Sequence, residues 1–289
     1  MIKIFKYFLQ AVIIYIFFIL IKLIGLKFSR KFFSYLFNNI GPLIKSNQII
    51  DGNLDKFIGS YNEDKKRNIK LGMWSNYGKT FVEYIFLKKF KKNNSHIKLK
   101  GEDILQKIIK KDKPVIFISG HFANFELMSM ELTKRKIKLA TIYRPLNNFF
   151  LNPFMEYIRR TYVCKNQIKK GLAGVKTSIN FIQNNFSIAM MIDQRVSEGK
   201  RLPFFGQMAL TSTLPSQLAI KYQLDIVPIY IARDKNDNFE MEIYEPIVTT
   251  NKEDSETQKL DLTIKLNKIA EKMISRDPSQ WIWTHNRWK

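Results

Sequence analysis

A chain of 289 residues, 45% of them apolar and 13% aromatic, can bury one large core or two smaller ones and is too apolar to be disordered. Its 48 lysines and arginines against 25 acidic residues leave a formal net charge of +23. Such a field favours anionic partners: phospholipid surfaces, phosphorylated sugars, acidic carrier proteins or nucleic acid. Abundant Lys, Ile and Asn of the kind A/T-rich coding produces account for part of that excess, so charge alone assigns no partner. One cysteine, Cys164, excludes an intrachain disulfide and a thiolate metal cluster, and fits a reducing compartment. The three histidines, His96, His121 and His285, are far apart and form no His-Glu-x-x-His run, which argues against a dedicated catalytic zinc.

In chain order, the first feature is an apolar stretch from Ile4 to Leu26 interrupted only by Lys6 and Lys22; Tyr7 to Ile21 carries no charge. The uncharged part is shorter than the ~20 residues of a spanning helix, but lysines near both ends can snorkel to headgroups. Leu23–Lys27 shows no Ala-x-Ala cleavage pattern, so the stretch reads as an uncleaved membrane anchor over residues 1–27 rather than a signal peptide. Lys22, Lys27, Arg30 and Lys31 outweigh Lys3 and Lys6, which predicts a cytoplasmic location for the C-terminal bulk of the chain. Phe28–Lys45 predicts an amphipathic helix ending at Gly41-Pro42, lying on the membrane or against the rest of the protein. More helix is predicted from about Leu54 to Phe90. Residues 28–95 therefore form a helical, membrane-proximal segment.

From residue 96 to the end the pattern changes. Strands are predicted at Ile97–Lys100, Val115–Ser119, Leu139–Tyr143, Ile188–Ile192, Ile226–Ile231 and Phe239–Tyr244. Helices are predicted at Glu102–Lys110, Phe122–Lys134, Asn152–Arg160, Leu172–Asn184, Thr213–Tyr222 and Asp261–Ser275. Alternation of this kind predicts an α/β fold: one domain with a mostly parallel central sheet flanked by helices, and reactive groups at strand ends.

One such strand end carries chemistry. Pro114–Ile118 runs into Ser119-Gly120-His121-Phe122-Ala123-Asn124-Phe125-Glu126. A histidine and a carboxylate at a strand-to-helix turn suit a general base and the group that orients it. Five positions along a helix rotate a side chain by about 500°, onto a different face. The pair therefore works only with His121 in the turn and Glu126 in the first helical turn, reaching back to the imidazole. A capped helix with a satisfied histidine is the structural alternative.

Further blocks give this turn a context. His121–Glu126 resembles the His-x4-Glu block of the lipid A biosynthesis acyltransferases, the late acyltransferases within the wider lysophospholipid acyltransferase superfamily. Tyr143-Arg144-Pro145-Leu146-Asn147-Asn148 is similar to that family's Tyr-Arg-Pro block. Asp193-Gln194 with Pro203-Phe204-Phe205-Gly206 resembles its Asp-Gln … Phe-Phe-Gly block, Val227-Pro228-Ile229 with Arg233 the strand after it, and Gln280–Lys289 its aromatic–basic ending. Five blocks in order span the chain. Ala123 stands where the family often has Gly, and Phe125 where Trp is frequent.

The resemblance implies an O-acyltransferase of the bacterial inner membrane, its catalytic domain on the cytoplasmic side, acting in lipopolysaccharide biosynthesis. An acyl carrier protein thioester would be the donor, and the acceptor a hydroxyl on a 3-hydroxyacyl chain of an anionic phosphoglycolipid. It implies membrane lipids as partners, no nucleic acid, and no metal or organic cofactor. His121 and Glu126 would be catalytic, with Asn124, Arg144, Arg159, Asp193 and Gln194 binding substrate; Arg159 and Arg160 compete for the family's helix arginine. Arg144 or Arg159 would bind a sugar phosphate or hold an oxyanion. Asp193 would orient an arginine or a sugar hydroxyl, or cap its turn. Phe204-Phe205-Gly206 would wall an acyl chain or fill the core, and the tail tryptophans would line a membrane mouth or pack inside. Two other readings stay open: a relative acting on a lysophospholipid, glycolipid or amino lipid, and a non-catalytic polybasic membrane-binding protein using Lys88-Lys89-Phe90-Lys91-Lys92.

Overall fold

Helices dominate the first third of the computed structural model, which describes residues 1–59, 62–249 and 255–289. The helices are α1 (Ile2–Ile24), α2 (Leu26–Ile44), α3 (Asn47–Ile58) and α4 (Glu63–Glu83), then a 3-10 turn (Tyr84–Phe86) and α5 (Leu87–Lys92). Gly25, at φ +87°, makes the corner between α1 and α2. Ser46 and Asn62 cap α3 and α4 by accepting from the backbone N–H groups of Ile49 and Lys65. α2 does not stop at Gly41-Pro42 as expected but runs through Pro42 to Ile44. Pro42 has no N–H to donate to the Asn38 carbonyl, so the last turn of α2 continues with one helical hydrogen bond fewer. α2 lies directly on α4: a β-carbon on Gly78 would overlap the Phe33 carbonyl oxygen. Phe18, Ile21, Phe33 and Val82 form a small core joining α1, α2 and α4.

The remainder alternates. In order come β1 (Ile97–Lys100), α6 (Glu102–Lys111), β2 (Ile116–Ser119), α7 (Glu126–Lys134), β3 (Leu139–Tyr143) and α8 (Asn152–Ile158), which runs into a π-helical turn (Arg159–Val163). Then follow β4 (Asn166–Lys169), α9 (Leu172–Gln183), β5 (Ser187–Met191), β6 (Lys200–Phe204), β7 (Gln207–Thr211) and α10 (Leu214–Tyr222). β8 (Ile226–Arg233), β9 (Phe239–Ile243) and α11 (Glu256–Arg276) complete the core.

Seven strands form one sheet in the order β1-β9-β8-β2-β5-β3-β4, with every pair parallel except the β8–β9 hairpin. The chain is thus an α/β protein with a mostly parallel central sheet flanked by helices, preceded by an apolar N-terminal helix. Successive residues of β2 feed opposite faces: Ile116 and Ile118 join one core with Ile188, Trp281 and Trp283, while Phe117 joins the other with Leu127, Ala189 and Val227. Both faces being covered, β2 is apolar without alternation. β2, β5 and β3 are neighbours and parallel, so the loops after them open at one edge of the sheet. Those loops carry His121, Asp193 and Arg144.

Candidate active site

His121 comes after β2 in a turn, as expected, but α7 starts only at Glu126 itself. Three contacts fix the intervening loop. The Ala123 carbonyl accepts from Asn76 Nδ2 and Thr80 Oγ1 of α4, and the Ala123 N–H donates to the Gln280 carbonyl. Ala123 holds φ +43°, a left-handed conformation that glycine adopts without strain.

The carboxylate bonded to the His121 ring is that of Asp193, and not, as expected, that of Glu126. Asp193 Oδ1 lies 2.8 Å from His121 Nδ1, while its Oδ2 accepts from the His121 backbone N–H at 2.9 Å and from Trp281 Nε1 at 2.7 Å. Asp193 is fully buried. Burial pushes its pKa up, but the His121 charge and the hydrogen bonds from His121 and Trp281 outweigh that and hold it down at about 2. The carboxylate therefore stays charged at neutral pH and selects the tautomer with its proton on Nδ1. The His121 ring, edge-on to Phe125 at 4.7 Å between centroids, is left with Nε2 as its basic atom.

Glu126 turns away from this pair. Its Oε1 accepts from Arg159 Nε at 2.8 Å and from the Tyr84 hydroxyl at 2.9 Å. Five residues separate Glu126 from His121, but with the helix starting at Glu126 the carboxylate is carried to the face that meets the π-helical turn. Arg159 is buried there and Arg160 exposed, which separates the two competing arginines. Burial opposes the charge on Arg159, yet Glu126 beside it keeps the guanidinium protonated. Burial, with Glu126 second, raises the Tyr84 hydroxyl so that it stays a donor.

His121, Glu126 and Arg159 line a cavity of about 530 Å³ together with Arg144, Gln194 and His285. Its apolar wall includes Ile142, Met190, Met191, Val196, Leu214 and Ile282. Lys170 also lines it, its pKa lowered by burial and by nearby Arg144. Among the described residues neither Arg144 nor Lys170 carries an ion pair.

His285, to which sequence reasoning gave no role, shares the cavity. The Arg195 backbone N–H donates to its Nε2 at 2.9 Å, so the neutral ring carries its proton on Nδ1. Burial lowers its pKa to about 4, against the opposing pull of Asp193.

Other expected positions fall elsewhere. Asn124 does not line the cavity; it is buried and donates to Glu83 Oε2 at 2.9 Å. Glu83, fully buried, also accepts from Arg30 and Arg233, so Asn124 belongs to a charged cluster beneath the loop. Phe204 is core, packed with Trp281 and Trp288, and Phe205-Gly206 forms the two-residue turn of the β6–β7 hairpin at φ +50° and +72°. The apolar wall comes from other residues. Trp281 and Trp283 are buried rather than at a membrane mouth. Sequence reasoning missed Tyr84, Glu83, Lys170 and the role of Trp281. The signal for Trp281 was present in the C-terminal aromatic–basic block; Lys170 comes after a strand too polar to be noticed.

A histidine–aspartate pair, set at the carboxyl edge of a parallel sheet and opening on a cavity with an apolar wall and unpaired cations, suits proton removal from a hydroxyl beside a long-chain acyl group. No curated protein matches the chain. The sequence model for the bacterial lipid A biosynthesis acyltransferases matches residues 2–289. The chain belongs to that family and is an acyltransferase of lipid A biosynthesis.

Proposed function

We propose that the protein catalyses a late, secondary acylation, moving a fatty acyl group from an acyl carrier protein thioester to a hydroxyl on a 3-hydroxyacyl chain of a lipid A precursor. The observation that carries this is the His121–Asp193 pair opening on a cavity that also holds Arg144 and Lys170, neither of them in a salt bridge. His121 Nε2 takes the proton from the acceptor hydroxyl, and the oxygen attacks the thioester carbonyl. Asp193 stabilises the imidazolium so formed. The tetrahedral oxyanion is held by a donor from Arg144 or Arg159 and collapses, breaking the C–S bond; the departing thiolate receives the proton from His121.

In this scheme Glu126 acts by fixing Arg159, and Asn124 by fixing the loop that carries His121. Arg144 and Lys170 meet a phosphate of the acceptor, and Gln194 contacts substrate polar groups. Two neighbouring cations that no carboxylate salt-bridges suit such a ligand, because a bound anion relieves their mutual repulsion. The reaction runs at the cytoplasmic face of the inner membrane, where anionic lipid and an acidic carrier protein both suit a charge of +23. Residues 1–27 attach the chain, residues 28–95 brace the catalytic loop through α4, and residues 96–289 carry the chemistry.

The test is His121→Ala. Transfer from a carrier thioester to a lipid A precursor falls by about 10²–10⁴-fold, while thermal unfolding and sedimentation with membranes are unchanged. Turnover at the wild-type rate overturns the assignment.

A further inference from the structure

The apolar helix α1 is long enough to cross a membrane, with a mean hydropathy of 2.4 over its best window. It does not stand clear of the protein. Near its start the Tyr7 carbonyl accepts from Asn148 Nδ2 at 2.8 Å, and the Tyr7 and Phe8 rings meet Phe149 and Phe150. Midway, the Tyr15 hydroxyl donates to the Phe150 carbonyl at 2.9 Å and Phe18 packs on Phe81 and Phe154. Near its end the Ile21 carbonyl accepts from Ser29 Oγ. The catalytic domain, with α2 and α4, therefore grips α1 from residue 7 to residue 21, about 21 Å of helix axis.

That grip conflicts with a perpendicular crossing. The hydrocarbon core is about 30 Å thick. With α1 upright and Lys22 at one surface, Asn148–Phe150 would lie about two-thirds of the way through. The adjoining exposed Arg144 and Asn147 would be drawn in as well, together with irregular backbone facing lipid. Each unsatisfied backbone group or charge there is strongly disfavoured.

The exposure pattern gives the alternative. Ala11, Phe18 and Ile21 are buried against the domain, while Phe8, Leu9, Ile13, Ile16, Ile19 and Leu20 are exposed. Apart from Gln10 and the two tyrosines, no polar side chain lies between Tyr7 and Ile21. An isolated helix at an interface needs a polar face turned to water; here the catalytic domain covers that side. The exposed apolar surface continues from α1 onto Phe149, which is 51% exposed and touches Tyr7. Exposed lysines stand at both ends, Lys3 and Lys6 at one and Lys22 at the other, suited to anionic headgroups.

We infer that α1 lies in the plane of an anionic bilayer beneath the catalytic domain, with both of its ends and the domain on the same side of the membrane. This rests on the membrane attachment proposed above and specifies its geometry. The loop from Arg144 to Phe150, which supplies cavity wall at Arg144–Asn147, then rests on the leaflet. The cavity receives its acceptor sideways, with the acceptor's other acyl chains still in the bilayer.

The placement is tested by impermeant maleimide labelling in a Cys164→Ser background. Lys3→Cys reports on the start of α1, and Lys107→Cys, on the solvent side of α6, reports on the domain. Membrane vesicles of both orientations are prepared from cells making active variants. The expected result is that both introduced thiols react from one face, the one exposed in inside-out vesicles, and neither reacts from the other until detergent is added. Reaction of the Lys3→Cys variant only from the face opposite to that of the Lys107→Cys variant means that α1 crosses, and overturns the inference while leaving the membrane attachment intact. A chain that high salt washes from both preparations sinks the attachment itself, and the placement with it.

Discussion

On the proposed mechanism Asp193 and Glu126 have different roles, and exchanging each for its amide separates them. Asp193→Asn removes the charge that fixes the imidazole tautomer, so kcat falls by about 10²–10⁴-fold with KM little changed. Glu126→Gln leaves Arg159 buried without its partner, which costs about 2–4 kcal/mol of stability and raises KM before it lowers kcat. A Glu126→Gln enzyme that keeps wild-type unfolding but loses kcat as His121→Ala does would reverse these roles. His285 gives a third prediction. Its folded pKa of about 4 lies below the ordinary 6.5, so between those values the unfolded chain binds the proton more readily. The stability this confers is complete above pH 6.5 and lost as pH falls through 4, an effect of about 3 kcal/mol. His285→Gln should flatten the dependence of unfolding free energy on pH in that window. The depressed Asp193 contributes a separate loss at lower pH, as pH falls from 3.8 towards 2. His121 and Arg144 could be picked out of the sequence because their blocks are local. The partner of His121 could not, because 72 positions separate it from Asp193 and only the pairing of β2 with β5 brings them together.

The elements that were legible are those with apolar runs or helical spacing. Leu139–Tyr143 and Glu102–Lys111 have nearly their expected bounds, since burial on both sheet faces or on one helix face leaves a pattern of apolar residues. β4 is an edge strand of sequence Asn-Gln-Ile-Lys with a single buried residue, and β6 and β7 pair in a hairpin outside the main sheet, so neither carries that pattern. The start of α7 was misplaced because Ala123 occupies a left-handed conformation that sequence spacing does not reveal. Element packing also predicts a remote effect. Gly78→Ala drives a methyl into the Phe33 carbonyl and must push α4 from α2. Because Asn76 and Thr80 on α4 hold the Ala123 carbonyl, the variant should lose about 1–3 kcal/mol of stability and also activity. Thermal unfolding and transfer rate measure the two; unchanged activity in a destabilised variant would show that α4 does not position the loop.

For the whole molecule, the net charge matters most where it is not neutralised. Many basic residues are paired, as Arg30 and Arg233 are with Glu83, whereas Arg144 and Lys170 face the cavity. Arg144→Gln and Lys170→Gln should each raise KM for a phosphorylated acceptor by roughly tenfold with kcat nearly unchanged, and should leave a phosphate-free acceptor unaffected. Equal losses with both acceptors would remove the phosphate contact. The order of the parts along the chain has one more consequence. The Trp281 indole holds Asp193, and the Gln280 carbonyl holds the loop after His121, so residues 280 and 281 complete a site whose other members lie far upstream. The apolar helix leaves the ribosome well before these residues do. On the proposed mechanism, a growing chain reaches the bilayer while its base still lacks support, and acyl transfer should begin only after synthesis has passed Trp281.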